Sequence, residues 1–189
     1  MNLIEHIRLH KAALTHIEKN IDHIEYVAGS LISALERGNK ILIAGNGGSA
    51  ADAQHFVAEL VGRFKIERLG LPALALTTDT SILSAVGNDY GFNEVFSRQI
   101  NALGKPGDIF IGITTSGYSQ NILNAFSECK LKQIHTICLT GNKHENIQDI
   151  VDIAVRVDSS DTAIIQELHI TIIHMLCTMI DDWAFANEQ

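Results

Sequence analysis

The sequence predicts an α/β fold: a parallel sheet covered by helices on both faces. A helical segment precedes the sheet and a long helix follows it. Short, continuous apolar runs recur between stretches of helical spacing, the pattern of parallel strands covered on both faces. Two of those runs end in turns rich in glycine or hydroxyl side chains and continue as helices. The chain has 189 residues, 46% hydrophobic and 19% charged, enough for one packed domain and too apolar for disorder.

Residues 2 to about 37 place Leu3, Ile4, Ile7, Ile21, Ile24, Val27, Leu31, Ile32 and Leu35 at helical spacing. They read as one bent helix or two consecutive ones, ending at Gly38. Strands are expected at 41–45 (ILIAG), 73–76 (ALAL), 109–114 (IFIGIT) and 136–140 (TICLT). A fifth, 153–157 (IAVRV), alternates like an edge strand. Asp161 to about Trp183 reads as a long helix whose apolar side chains, Ile164 through Ile180, point almost all round its axis. Such a helix is expected to be buried on most sides, which suggests a subunit interface. No repeat, low-complexity segment or linker interrupts the chain. It reads as a single domain over 1–189, with 1–37 as a helical segment and 38–189 as the α/β core.

Charge and composition remove several function classes. Net charge is 14 − 22 = −8, and no cluster of Lys or Arg offers a basic surface to nucleic acid. The N-terminus, MNLIEHIRLHKAAL, lacks the apolar core of a secretory signal. No unbroken apolar run approaches the ~18–20 residues of a bilayer crossing, so no membrane partner is expected. Cys129, Cys138 and Cys177 are widely spaced in apolar settings and read as buried thiols of a reducing cytoplasm.

Open α/β sheets bind ligands where strands end. The first such turn, Gly45-Asn46-Gly47-Gly48-Ser49-Ala50, fits the dinucleotide pattern G-x-G-x-x-G/A. The acidic residue that pattern wants about 20 residues on is misplaced: Asp79 lies 29 positions past Ala50. The second turn, Thr114-Thr115-Ser116-Gly117-Tyr118-Ser119, carries four hydroxyls and a glycine into a helix, a cradle for one phosphate. An ordinary helix cap would need only one such hydroxyl. No Walker lysine follows either turn, which argues against nucleotide hydrolysis.

His55 and Glu59 lie at i and i+4 on the helix after the glycine turn, so both project from one face. Gln166 and His174, eight apart on the last helix, are separated by about 80° around the axis and share a face two turns apart. If the two helices meet, these four side chains could hold a borderline ion such as Zn²⁺. His169 points about 140° from His174 and reads as a packing residue. His6 and His10 are another i, i+4 pair with no third ligand in view, and read as a surface pair.

Four segments carry a resemblance: AGNGGSAADAQHFVAELVGRF, ALTTDTSILSAVGNDYGFNEVFSRQI, TTSGYSQN and IIQELHITIIHMLCTMID. In order and spacing they resemble the phosphoheptose isomerases, members of the sugar isomerase (SIS) fold, from about residue 35 to 183. The resemblance implies a three-layer, doubly wound α/β domain of the flavodoxin-like kind, and conversion of sedoheptulose 7-phosphate to glycero-manno-heptose 7-phosphate by a homotetramer with sites shared between subunits. By position, Asn46, Gly47, Gly48, Asn88 and Asp89 would contact substrate, and Thr114, Thr115, Ser116 and Ser119 would hold the 7-phosphate. His55, Glu59, Gln166 and His174 match the family's metal site, one Zn²⁺ per subunit, with Glu59 and Gln166 also touching substrate. Glu59 and His174 match its catalytic pair. The chemistry agrees: moving a carbonyl from C2 to C1 needs one base to carry a carbon-bound proton through an enediol, and a second group for the oxygens.

Two positions depart from the family pattern. Ile164 stands where many members have Arg, and Thr114 where Ser is common. Two rival readings follow from the same residues. One is a non-catalytic SIS-type tetramer that binds phosphosugar or protein, like the relatives that associate with the replication initiator. The intact set His55, Glu59, Gln166 and His174 favours an enzyme over it. The other is a dinucleotide-dependent oxidoreductase, against which the misplaced acid and the second turn argue.

Overall fold

The N-terminal stretch forms two helices, α1 (Leu3–Lys19) and α2 (Ile21–Glu36), broken at Asn20. The Asn2 side chain caps α1, accepting a hydrogen bond from the Glu5 N–H at 2.8 Å. The structure, a computed structural model, describes residues 2–143 and 147–187. After α2 come β1 (Ile41–Gly45), α3 (Gly48–Val61), β2 (Ala73–Ala75), α4 (Thr80–Tyr90), α5 (Ser97–Leu103) and β3 (Ile109–Thr114). The chain continues through α6 (Gln120–Leu131), β4 (His135–Thr140), β5 (Ile153–Arg156) and α7 (Thr162–Asn187).

All four strand pairings are parallel, in the order β2-β1-β3-β4-β5. The alternating 153–157 run is an edge strand as expected. Successive side chains of a strand point to opposite faces, so each strand feeds two cores. Ile41, Ile43, Ile109, Ile111, Ile113, Ile137 and Leu139 join α1, α2, α3 and α7 in one. Leu42, Ala44, Phe110 and Cys138 join α5 and α6 in the other. This is the three-layer arrangement that continuous apolar strands require. At Gly112 of β3 a Cβ would lie 2.5 Å from the Phe126 ring, so the missing side chain is what lets α6 seat on the sheet.

By length and composition alone, α7 would suit a bilayer crossing. Gln166, Glu167, His169, Thr171 and His174 interrupt its apolar run, which is why no unbroken run is visible in the sequence. What covers it is this chain itself. Ile164, Ile165, Leu168, Ile172, Ile173, Leu176 and Ile180 are buried against α1, α2, α3 and the sheet. A subunit interface is therefore not needed to explain its apolar face. Ile164 belongs to this core with no exposed surface, so a residue that replaces a cation in the family pattern works here as packing.

His169 is fully buried, and the Thr140 backbone beside its ring offsets only part of the cost of that burial. Burial pushes it down to about 4. The three cysteines are free and buried; burial holds Cys138 and Cys177 up at about 12, so they are inert thiols at neutral pH.

A pH dependence of stability follows from His169. Unfolded, its imidazole titrates near 6.5; folded, near 4. Between those values the unfolded chain binds more protons, so stability falls as pH falls, by up to about 3 kcal/mol for this group. Urea unfolding at pH 7, 6, 5 and 4 should show this slope, and His169→Leu should flatten it.

Candidate active site

The strand order reverses between β1 and β3: the chain winds from β1 outward to β2, then returns to β3 on the other side. Ligands of open α/β sheets bind at such a switch point, and here it brings the two sequence-predicted turns together. Gly45 of β1 pairs with Ile113 of β3, so the turns after both strands leave the sheet side by side. Reciprocal hydrogen bonds lock them: Asn46 Nδ2 donates to Asn121 Oδ1 and Asn121 Nδ2 to Asn46 Oδ1, both at 2.9 Å. Asn121 is buried at the start of α6; sequence reasoning missed it, and only its place just after the hydroxyl turn could have marked it.

The glycines of the first turn have separate reasons. A Cβ on Gly45 would meet the Ser49 carbonyl oxygen at 2.4 Å, and Gly47 has φ +57°. A Cβ on Gly48 would lie 2.7 Å from Gln166 Nε2, which places the Gln166 carboxamide directly over the turn. In the second turn, Thr114 is buried and its Oγ1 accepts from the Gly117 N–H at 3.2 Å and lies 3.0 Å from Ser119 Oγ. Ser116 Oγ accepts from the Tyr118 N–H at 3.1 Å. These hydroxyls shape the turn. Ser119, although it stands at the cap position, makes no side-chain cap bond. Its carbonyl instead accepts from the Ile122 and Leu123 N–H groups at 3.0 Å, so α6 starts without a side-chain cap, the kind of helix end that receives anions.

The helices α3 and α7 do meet. His55 Nε2 and Glu59 Oε1 are 2.9 Å apart, and the His55 and His174 rings stand edge to face with centroids at 5.1 Å. One ligand atom from each of His55, Glu59 and His174 lies within 4.8 Å of the others, a group able to hold a metal ion. Phe64 stacks on the far side of His174 at 5.3 Å. Burial pushes His174 below its ordinary value, reinforced by His55 and Lys65 and opposed by Glu59, which favours the neutral imidazole.

The SIS domain profile matches residues 5–141. The phosphoheptose isomerase of Geobacter metallireducens is 50% identical over 184 residues, 97% of each chain. A probable phosphoheptose isomerase of Thermoplasma acidophilum is 49% identical over 92% of this chain and 96% of that protein. The solved phosphoheptose isomerase of Neisseria gonorrhoeae superposes with TM-score 0.89 at 42% identity, covering 95% of this chain and 97% of that one. This chain belongs to the phosphoheptose isomerase family of SIS-domain proteins.

Within that family fold, the other predicted residues divide. Gln166 lies eight residues before His174, about 12 Å along the axis, so it meets the glycine turn at one end of α3 while His174 meets His55 and Glu59 further along. Asn88 and Asp89 are exposed at the end of α4, bonded to each other at 2.7 Å; one chain does not bring them to the turns. Asp79, the misplaced acid, caps α4 through the Ile82 N–H at 2.9 Å, a helix cap in place of a ribose contact. His6 and His10 do have a third partner after all, Glu167 of α7, which sequence distance had hidden.

Two further residues were missed. Asp52, one turn before His55, has an Oδ2 that is buried without a partner among the described residues, and burial pushes its carboxyl above the ordinary carboxylate range, against the pull of His55. Asp181 forms a buried ion pair with Arg68 at 2.7 Å, the two side chains 2% and 1% exposed. Asp181 also accepts from the Lys65 and Ile66 N–H groups, while Arg68 donates to the carbonyls of Leu60 and Glu59. This ties the segment after α3 to α7 right behind Glu59. Burial alone would raise Asp181, but those donors hold it below its ordinary value.

Asp181→Ala leaves Arg68 buried and unpaired and should cost about 3–5 kcal/mol in urea unfolding. Asn121→Ala should cost about 1 kcal/mol, since it strips Asn46 of a partner that solvent partly replaces.

Proposed function

We propose that this chain is an aldose–ketose isomerase converting D-sedoheptulose 7-phosphate to D-glycero-D-manno-heptose 7-phosphate, the first step of heptose-nucleotide biosynthesis. The observation that carries the reading is the convergence of His55, Glu59 and His174 where α7 packs on α3, the helix that follows the glycine turn. In this reading Thr115, Ser116, Ser119 and the uncapped start of α6 take the 7-phosphate, with Thr114 holding the turn's shape from beneath. Asn46, Gly47, Gly48 and Gln166 contact the sugar.

Glu59 removes a proton from C1 of the ketose and returns it to C2, and neutral His174 moves the hydroxyl proton between O1 and O2. Two imidazoles and a carboxylate fit a borderline divalent ion, so His55, Glu59 and His174 would hold one Zn²⁺ per subunit, and Gln166 would join them as a fourth donor by turning its carboxamide from Gly48 toward His174. Bound there, it would polarise the substrate oxygens and stabilise enediolate charge.

We also take the whole of 1–189 as one SIS domain of a cytoplasmic homotetramer. Supporting the assembly, α4 buries none of its own residues, while Leu3, Ile4, Tyr90 and Phe92 are broadly exposed. Asn88 and Asp89 would then serve a site completed by a second subunit.

The test is incubation with sedoheptulose 7-phosphate in D₂O. Wild type should yield the aldose with deuterium at C2, and Glu59→Gln should lose about 10²–10⁴-fold in rate, the worth of a base acting in the transition state. Failure of the wild type to convert or label the ketose, with Zn²⁺ supplied, would overturn the assignment. Gly48→Ala should raise KM by displacing Gln166 without lowering the unfolding midpoint.

A further inference from the structure

We propose that Phe64 is a positioning residue for His174: stacked on the imidazole, it sets the plane in which that ring faces His55, Glu59 and substrate. The inference rests on the reading of His174 as the group that moves the hydroxyl proton. An imidazole with such a task is ordinarily oriented by a hydrogen bond from one ring nitrogen to a carboxylate or backbone carbonyl. Among the described residues, neither ring nitrogen of His174 makes a hydrogen bond. What holds the ring is aromatic contact. Phe64 lies 28° from parallel to it with centroids 5.3 Å apart, and His55 stands across it at 77° with centroids 5.1 Å apart. Both are favourable aromatic geometries. Turning the imidazole about its Cβ–Cγ bond loses the stack on Phe64, so this flat contact takes the place of the orienting hydrogen bond.

Phe64 can act in this way because the segment that carries it is tied down. It is half-buried in the connection after α3. The next two residues, Lys65 and Ile66, donate their N–H groups to Asp181 Oδ2 at 2.8 and 3.0 Å. Asp181 is seven residues past His174 on α7, about 20° from it around the axis. The carboxylate that anchors the segment and the imidazole that Phe64 covers therefore share one face of α7. Arg68 closes the strap: its Nε donates to Asp181 Oδ1 and its Nη2 to the Glu59 carbonyl, both at 2.7 Å. One short segment thus holds Glu59 through its backbone and His174 through the Phe64 ring. Lys65 Nζ lies over the Phe64 ring, 4.9 Å from its centroid, a cation–π contact that steadies the ring in turn.

The experiment compares wild type, Phe64→Leu and Phe64→Tyr in two ways. One is steady-state kinetics with sedoheptulose 7-phosphate, Zn²⁺ supplied. The other is proton NMR of the histidine rings in metal-stripped full-length protein, with His174→Gln to assign the signals. Phe64→Leu keeps an apolar side chain at a half-buried position but should lose about 10–100-fold in kcat, the loss typical when a histidine's orienting partner is removed. Its KM should be unchanged, because substrate is not touched. Phe64→Tyr keeps the stacked ring and should retain wild-type kcat. The wild-type His174 ring protons should give one sharp set of signals, shifted upfield by the Phe64 ring. In Phe64→Leu those signals should move downfield and broaden. Wild-type kcat in Phe64→Leu would overturn the proposal, as would a rise in KM with kcat held. A loss that Phe64→Tyr shares, or sharp and unshifted His174 signals in Phe64→Leu, would overturn it too. Failure of the wild type to convert the ketose would remove the isomerase reading instead, and the NMR comparison would still decide whether Phe64 orients the ring.

Discussion

The parallel pairing of β1 with β3 is the constraint on which the site depends. Because β2 lies on one side of β1 and β3 on the other, the turns that leave β1 and β3 diverge onto opposite layers and open a crevice between them. Register sets their height: Gly45 opposite Ile113 lets both turns begin at the same level of the sheet. The reciprocal Asn46–Asn121 amide pair then fixes their separation. Each amide supplies a donor and an acceptor, so the pair satisfies both side chains and leaves neither oxygen buried and unpaired.

The second requirement is that α3 and α7 run alongside each other in the same direction. Gly48 lies under Gln166, and His55 under His174. The two contacts are seven residues apart along α3 and eight apart along α7, about 10.5 and 12 Å of helix. The near equality means that one parallel packing serves both ends of the site. Beyond His174, the Arg68–Asp181 pair ties the segment after α3 back to α7. A buried ion pair is poor evidence for net stability. Here its many backbone contacts fix geometry, holding the end of α3 that carries Glu59.

Two histidines on the same helix show how burial separates roles. His169 is sealed in the core and kept neutral far below its ordinary range. His174, five residues on, is only partly buried, shares space with His55 and Glu59, and keeps contact with solvent. The first can only pack. The second can exchange protons or bind an ion.

Local sequence was enough for the elements, because apolar run length, helical spacing and turn composition act over a few residues. It determined the five strands, the helical stretch before them, the positions of both strand-end turns, and the i, i+4 geometry of His55 and Glu59, but left open whether that first stretch is one bent helix or two. The tertiary structure decided everything that joins distant segments. It decided that α7 meets α3, that Asn121 faces Asn46, that Thr114 supports its turn from within, and that α7 is covered by its own chain. It also decided that Glu167 stands between His6 and His10. These are contacts between side chains separated by as many as 161 residues, and which helix faces touch is set by how all layers pack at once, a quantity no local window contains.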